Sequence, residues 1–165
     1  MDNVIPVTKV GIAELKTGKA PERLRTSGLG SCVGVVLYDE LKGIAGMAHI
    51  MLPDSSMARK VDLNRAKYAD TAIDDLVEEI SKKGGSLYRM KAKIAGGAQM
   101  FAFSSASDLM RIGPKNIEAV KRKLIEKNIS IESEDVGGKN GRTLEFDIVK
   151  LNLHIRKVNQ GEYTI

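Results

Sequence analysis

The sequence predicts an α+β or layered α/β fold, and three observations carry that expectation. Roughly six or seven short segments have strand composition, they gather toward the two ends of the chain, and two long amphipathic helices fall between them. A strict βαβ repeat would alternate the two kinds of element. The 165 residues hold no internal repeat, low-complexity tract or Pro/Ser-rich linker, so residues 1–165 read as a single domain.

The elements follow in order. Val4 to Ala13 is rich in β-branched residues and predicts a strand, with Pro6 marking an edge or a strand start. Leu15 to Arg25 is polar and contains Gly18 and Pro21, which predicts a loop. Val33 to Asp39 is a nearly continuous apolar run, as suits a strand buried on both faces. Ile44 to Leu52 is a second such run. A polar turn over Asp39–Gly43 would join the two as a hairpin, and Pro53 ends it.

After Asn64, the residues Ala69, Ala72, Ile73, Leu76, Val77 and Ile80 recur at helical spacing, with Asp70, Asp74, Glu78 and Lys82 on the other face. Gly84-Gly85 stops this helix. Met90 to Ala95 reads as a strand, and Gly96-Gly97 as a tight turn or close backbone approach. A second helix spans Pro114 to Lys127 on the stripe Ile117, Val120 and Leu124. Ile129–Val136, Thr143–Val149 and Leu151–Val158 read as strands. The last sets Leu151, Leu153 and Ile155 on one face and Asn152, His154 and Arg156 on the other.

Composition removes several classes of function. With 42% hydrophobic and 28% charged residues the chain is neither disordered nor fibrous. No apolar run reaches the length of about 18 residues that a transmembrane helix needs. The N-terminus lacks a basic segment followed by an apolar one, so no secretory signal is expected and the expected compartment is the cytoplasm. The only cysteine is Cys32 and the only histidines are His49 and His154, so neither a disulfide nor a zinc site is expected, and no metal or cofactor. The net charge is +5, with the basic residues spread along the chain. Lys121-Arg122-Lys123 is most simply a solvated helix face. Three Phe, four Tyr and no Trp give little for stacking bases, so nucleic-acid binding is not favoured. A basic surface would equally suit an acidic protein partner.

The segment that carries chemistry is Thr26-Ser27-Gly28-Leu29-Gly30-Ser31-Cys32. Its small residues leave the backbone of a sharp turn accessible just before a buried strand. Such a turn can present a nucleophile and backbone donors together. The amides of Ser31 and Cys32, with Gly30 allowing the turn, are candidates for an oxyanion hole. The hairpin could return His49 to the neighbourhood of Cys32, where an imidazolium would lower the thiol pKa. Blander readings stand beside this one. A lone cysteine is often a small buried hydrophobe, a histidine in an apolar strand is often a hydrogen-bonded core residue, and such a turn is often only a turn. Val33 sits where GxGxxG wants its third glycine and no GxxxxGK is present, so nucleotide readings are weak. His154 reads as a surface residue.

Five motifs in register resemble the CheD family of chemoreceptor glutamine deamidases. They are Thr26–Val35, Gly46-Met-Ala-His49-Ile-Met-Leu-Pro53, Lys93-Ile-Ala-Gly-Gly-Ala98-Gln-Met-Phe101, Ile112-Gly-Pro-Lys-Asn116, and Asp135-Val-Gly-Gly138 with Gly141-Arg142. The similarity runs over nearly the whole chain, and Pro114 is its one small departure. The resemblance implies a layered α/β/β sandwich, similar to that of glutamine-deamidating bacterial toxins. It implies hydrolysis of glutamine side-chain amides on methyl-accepting chemotaxis receptors, with Cys32 as nucleophile, His49 as its histidine partner and Thr26 completing the triad. It also implies an open, shallow site for a helical receptor surface, and CheC as a partner under the influence of phosphorylated CheY. Two alternatives remain at this point: an adaptor for receptors and CheC with marginal hydrolase activity, and another thiol hydrolase such as a protease or methylesterase.

Overall fold

A computed structural model describes residues 4–58, 63–99 and 111–165. The strands are β1 (Val7–Lys9), β2 (Leu15–Lys19), β3 (Arg23–Leu29), β4 (Val33–Asp39), β5 (Ile44–Ile50), β6 (Lys91–Gly96), β7 (Ser130–Val136), β8 (Arg142–Asp147), β9 (Asn152–Lys157) and β10 (Gly161–Thr164). The long helices are α1 (Ala69–Lys82) and α2 (Ile112–Glu126). The strands make two five-stranded mixed sheets: an outer sheet in the order β1-β3-β8-β9-β10 and a central sheet in the order β2-β5-β4-β6-β7.

Two cores define three layers. The α1 stripe Ala69, Ala72, Ile73, Leu76, Val77 and Ile80, with Val120 and Leu124 of α2, packs on Val33, Val35, Leu37, Ala48, Ile50 and Ile94 of the central sheet. The opposite face of that sheet, including Val36, Tyr38, Ala45 and Met47, packs on Leu24, Leu144, Phe146, Leu153 and Ile155 of the outer sheet. The architecture is therefore helices, sheet, sheet, the layered α/β/β sandwich expected. β4 is buried at every residue because it lies in the middle layer, which is why it reads as an apolar run.

The β4–β5 hairpin forms as expected and sets Gly34 opposite His49. α1 ends at Lys82, and Gly84 beyond it has a φ of +105°, which favours glycine. α2 ends before Asn128 at φ +57°. The expected strands near 90, 130, 143 and 151 are β6 to β9, each shifted by a residue or two at its ends.

Three expectations need correction. Segment 15–25 is not a loop: it contains β2 and the start of β3. β2 is polar because it is an edge strand with Lys16 and Lys19 facing solvent, and β3 alternates buried Leu24 and Thr26 with exposed Arg25. The first strand is three residues long rather than ten; its chain turns away after Val10 and reaches a left-handed Ala13 at φ +59°. The strand count is ten among the described residues: β2 and β3 add to the expected set, as does β10, which is exposed at all four positions and carries no apolar alternation to detect.

Candidate active site

The site lies at one end of the sandwich, between its sheets. β3 reaches it from the outer sheet, and the β4–β5 hairpin reaches it from the central sheet. β3 pairs with β8 as Thr26↔Leu144 and then Leu29↔Arg142, so one extra residue bulges between them. Gly28, at φ +72°, absorbs the bulge. Thr26 and Leu29 both face inward as a result, 2% and 0% exposed.

On the hairpin, Ala45 and Met47 face the outer sheet, so His49 two residues on shares their face. Gly34, directly opposite His49, lies on that face too. A Cβ there would stand 2.5 Å from Leu144 Cδ1 and 3.4 Å from Leu29 Cδ1, so glycine keeps the layer closed beside the ring. Cys32 precedes Gly34 by two residues and packs against the same core, half-buried. It lies just before β4, two residues from the Gly34 that pairs with His49.

Thr26 and His49 meet directly. Thr26 Oγ1 lies 2.7 Å from His49 Nδ1 and 2.7 Å from the Val10 carbonyl oxygen. The hydroxyl has one proton, and a carbonyl can only accept. Thr26 therefore donates to Val10 and accepts from His49, which puts the imidazole proton on Nδ1. Nε2 is left with its lone pair, buried and without a hydrogen-bond partner among the described residues.

Burial sets the resting charges. It raises the Cys32 thiol above its ordinary value of 9.0, against the opposing effect of the residue's own backbone amide. It lowers His49 below 6.5. Both shifts favour the uncharged forms, a neutral thiol and a neutral imidazole. A neutral Nε2 lone pair can act as a general base.

The turn between β3 and β4 is held by its carbonyls. Gly30 O accepts from Ala98 N–H at 2.8 Å, Ser31 O from Asn116 Nδ2 at 2.9 Å, and Cys32 O from Gly97 N–H at 2.8 Å. Neither the Ser31 nor the Cys32 amide bonds a backbone carbonyl among the described residues, and the Cys32 amide faces its own sulfur. Gly96 permits this packing: a Cβ there would lie 2.4 Å from the Cys32 oxygen. Asn116 is fully buried, and its Nδ2 also donates to Met51 O at 2.9 Å. The adjoining rim is fixed by buried Arg142, which donates to Gly137 O at 2.7 Å and pairs with Asp135. Lys157 and Tyr163 also hold Asp135, which ties β7 to the outer sheet.

Thr26 and His49 are in direct contact, and Cys32, which follows Gly30 and Ser31 in the turn, packs against the core on the same side of the central sheet. His154 is remote and 44% exposed, paired with Glu162. Lys123 departs from the solvated reading of its cluster: it is 15% exposed and bridges α2 to Asp74 of α1. Asn116 lay within a quoted motif, but nothing in its spacing marked it as part of the site. The residues Met100 and Phe101 of the third motif lie outside the described residues. A polar cavity of about 370 Å³, lined by Lys9, Val10, Arg25, Thr26 and Ser27, opens beside β3. Among the described residues, no three His, Cys, Asp or Glu side chains converge as metal ligands, and no helix is long and apolar enough to cross a membrane.

The chain is similar to known proteins over nearly its whole length. A family profile described as CheD chemotactic sensory transduction matches residues 51–157. A protein of Halalkalibacterium halodurans named chemoreceptor glutamine deamidase CheD is 58% identical over 159 residues, covering 96% of this chain and 98% of that one. A Bacillus subtilis protein of the same name is 54% identical, with 96% of each chain covered. Among solved structures, a Bacillus licheniformis hypothetical protein, YfiH, aligns with a TM-score of 0.44 at 16% identity, over 73% of this chain and 49% of that one.

Proposed function

The chain belongs to the CheD family, and we propose that it hydrolyses glutamine side-chain amides of methyl-accepting chemoreceptors to glutamate and ammonia. Cys32 is the nucleophile, His49 the acid–base and Thr26 the residue that holds His49. The names of its relatives support the reaction. The observation that carries the residue roles is the proton count at Thr26. One hydroxyl proton, spent on Val10, makes Thr26 an acceptor for Nδ1–H and leaves His49 Nε2 free as a base on the face that Cys32 shares.

The steps follow from that arrangement. Nε2 takes the thiol proton as sulfur attacks the side-chain carbonyl carbon. The oxyanion that forms is received by the backbone amides of Ser31 and Cys32. As the tetrahedral adduct collapses, Nε2–H delivers its proton to the departing nitrogen, ammonia leaves and a thioester remains. Nε2 then takes a proton from water, which attacks the thioester. The product is glutamate, and the proton returns to sulfur. Thr26 is a neutral hydroxyl, so it stabilises the imidazolium less than a carboxylate would, and a modest catalyst results.

The whole chain acts as one catalytic domain in the cytoplasm, on the helical region of the receptor. CheC is the partner that competes for the same open face, with phosphorylated CheY biasing the exchange. Incubating the purified chain with a cytoplasmic chemoreceptor fragment tests the reaction class. Ammonia release supports a deamidase, methanol release from a methylated fragment points to an esterase, and binding without either points to an adaptor. Added CheC should slow ammonia release; an unchanged rate would remove CheC from the account.

A further inference from the structure

We propose that Asn116 is a positioning residue for the oxyanion site: by holding the Ser31 carbonyl it aims the Cys32 backbone N–H at the reacting carbon's oxygen. The inference rests on the deamidase reading and assigns a residue to it from α2, outside the triad.

A trans peptide is planar, and its C=O and N–H point in opposite directions. Whatever fixes the Ser31 carbonyl therefore fixes the Cys32 amide. Asn116 Nδ2 donates to Ser31 O at 2.9 Å from α2, on the helix side of the central sheet. The Cys32 N–H is thereby turned away from α2, toward the face that carries Cys32 and His49. The neighbouring carbonyls of Gly30 and Cys32 are held by the backbone amides of Ala98 and Gly97. Ser31 is the one carbonyl of the three held by a side chain, so it alone depends on residue type.

The second amide proton strengthens the assignment. It goes to Met51 O, two residues beyond His49, so one nitrogen ties the cysteine turn to the end of the histidine strand. Two carbonyls facing one side chain require an NH₂ group, which forces the orientation of the amide. Its oxygen is then left buried without a partner among the described residues. A residue kept only for packing would not carry that cost. Small residues at Gly30 and Ser31 offer little resistance to a flipped peptide once the clamp is gone.

The test compares two reactions of the same thiol. Deamidation builds an oxyanion; alkylation of Cys32 by iodoacetamide displaces iodide and builds none. In Asn116→Ala, kcat on a cytoplasmic chemoreceptor fragment should fall about 10–100-fold, with KM and the Cys32 alkylation rate each held within about twofold. Alkylation falling in step with kcat, or kcat unchanged, would overturn the proposal. Asn116→Asp keeps the shape should alanine fail to fold. A buried carboxyl facing two carbonyls resists ionisation and can return one donor as it protonates. Its kcat relative to wild type should therefore rise as pH is lowered from about 8 to about 6; a flat ratio overturns the proposal. A wild-type chain that releases no ammonia would overturn the deamidase reading and the inference with it. Active Asn116 variants beside an active wild type would overturn the inference alone.

Discussion

Replacing Thr26 with valine isolates the hydroxyl, because valine keeps the branched shape and opens no cavity. Two partners are stranded: the Val10 carbonyl and His49 Nδ1–H, each 2.7 Å from Oγ1 in a site where Thr26 is 2% and His49 0% exposed. At about 1–3 kcal/mol for each buried unpaired group, the variant should lose about 2–6 kcal/mol of stability. The catalytic loss has a different origin. Without an acceptor at Nδ1, the ring is free to carry its proton on Nε2, which removes the base. A hydrogen bond worth about 1–2 kcal/mol shifts the ratio of the two tautomers about 5–30-fold, so a ring held mostly in the competent tautomer falls to about half competent. kcat on a chemoreceptor fragment should fall about twofold or more and KM should stay, since buried Thr26 does not touch substrate. Thr26→Ser should recover part of the rate; serine's freer χ1 prevents full recovery. Turnover and melting temperature are measured together on both variants. A rate loss that disappears once the folded fraction is corrected for would refute the reasoning and leave a Cys32–His49 dyad.

Iodoacetamide labelling of wild-type Cys32 should titrate above the ordinary thiol value of 9.0, because burial favours the neutral form; a midpoint below it would reveal a resting thiolate. His49→Asn should abolish most turnover and leave that midpoint in place, since the pair rests neutral; a large upward shift would restore the ion-pair picture. The folded pKa of His49 is depressed below 6.5, so its burial contributes stability that is present above 6.5 and lost as pH falls toward the folded value. Denaturant melts between about pH 7 and pH 5 should show a shallower decline in His49→Asn than in wild type, and parallel declines would contradict this. Gly34→Ala places a Cβ 2.5 Å from Leu144 Cδ1 in a closed core and should cost about 1–3 kcal/mol, read from the melting temperature.

The sequence made the middle layer legible where residue pattern and environment coincide. β4 is apolar throughout because both its faces are covered, and the α1 stripe is apolar because it meets the central sheet. The hairpin followed from the short polar turn between the two apolar runs. Two polar edge strands, β2 and β10, escaped notice. β2 and β10 expose too many residues to show apolar alternation, and partner strands distant in sequence decide them. Thr26 entered through family resemblance, since no local pattern announces that a bulge will turn both Thr26 and Leu29 inward. Asn116 was illegible for the same reason: its partners, Ser31 and Met51, are 85 and 65 residues away. The resting charges were also beyond the sequence, because burial rather than spacing sets them.

The central claim is that Cys32 attacks a receptor glutamine. Peptide mapping by mass spectrometry, on one chemoreceptor fragment treated in parallel with wild-type chain and with Cys32→Ala, tests it most directly. Half-buried Cys32 tolerates alanine, so the variant should fold. The account predicts conversion of glutamine to glutamate at discrete receptor positions by the wild type and none by the folded variant. Conversion by Cys32→Ala at the wild-type rate would contradict it.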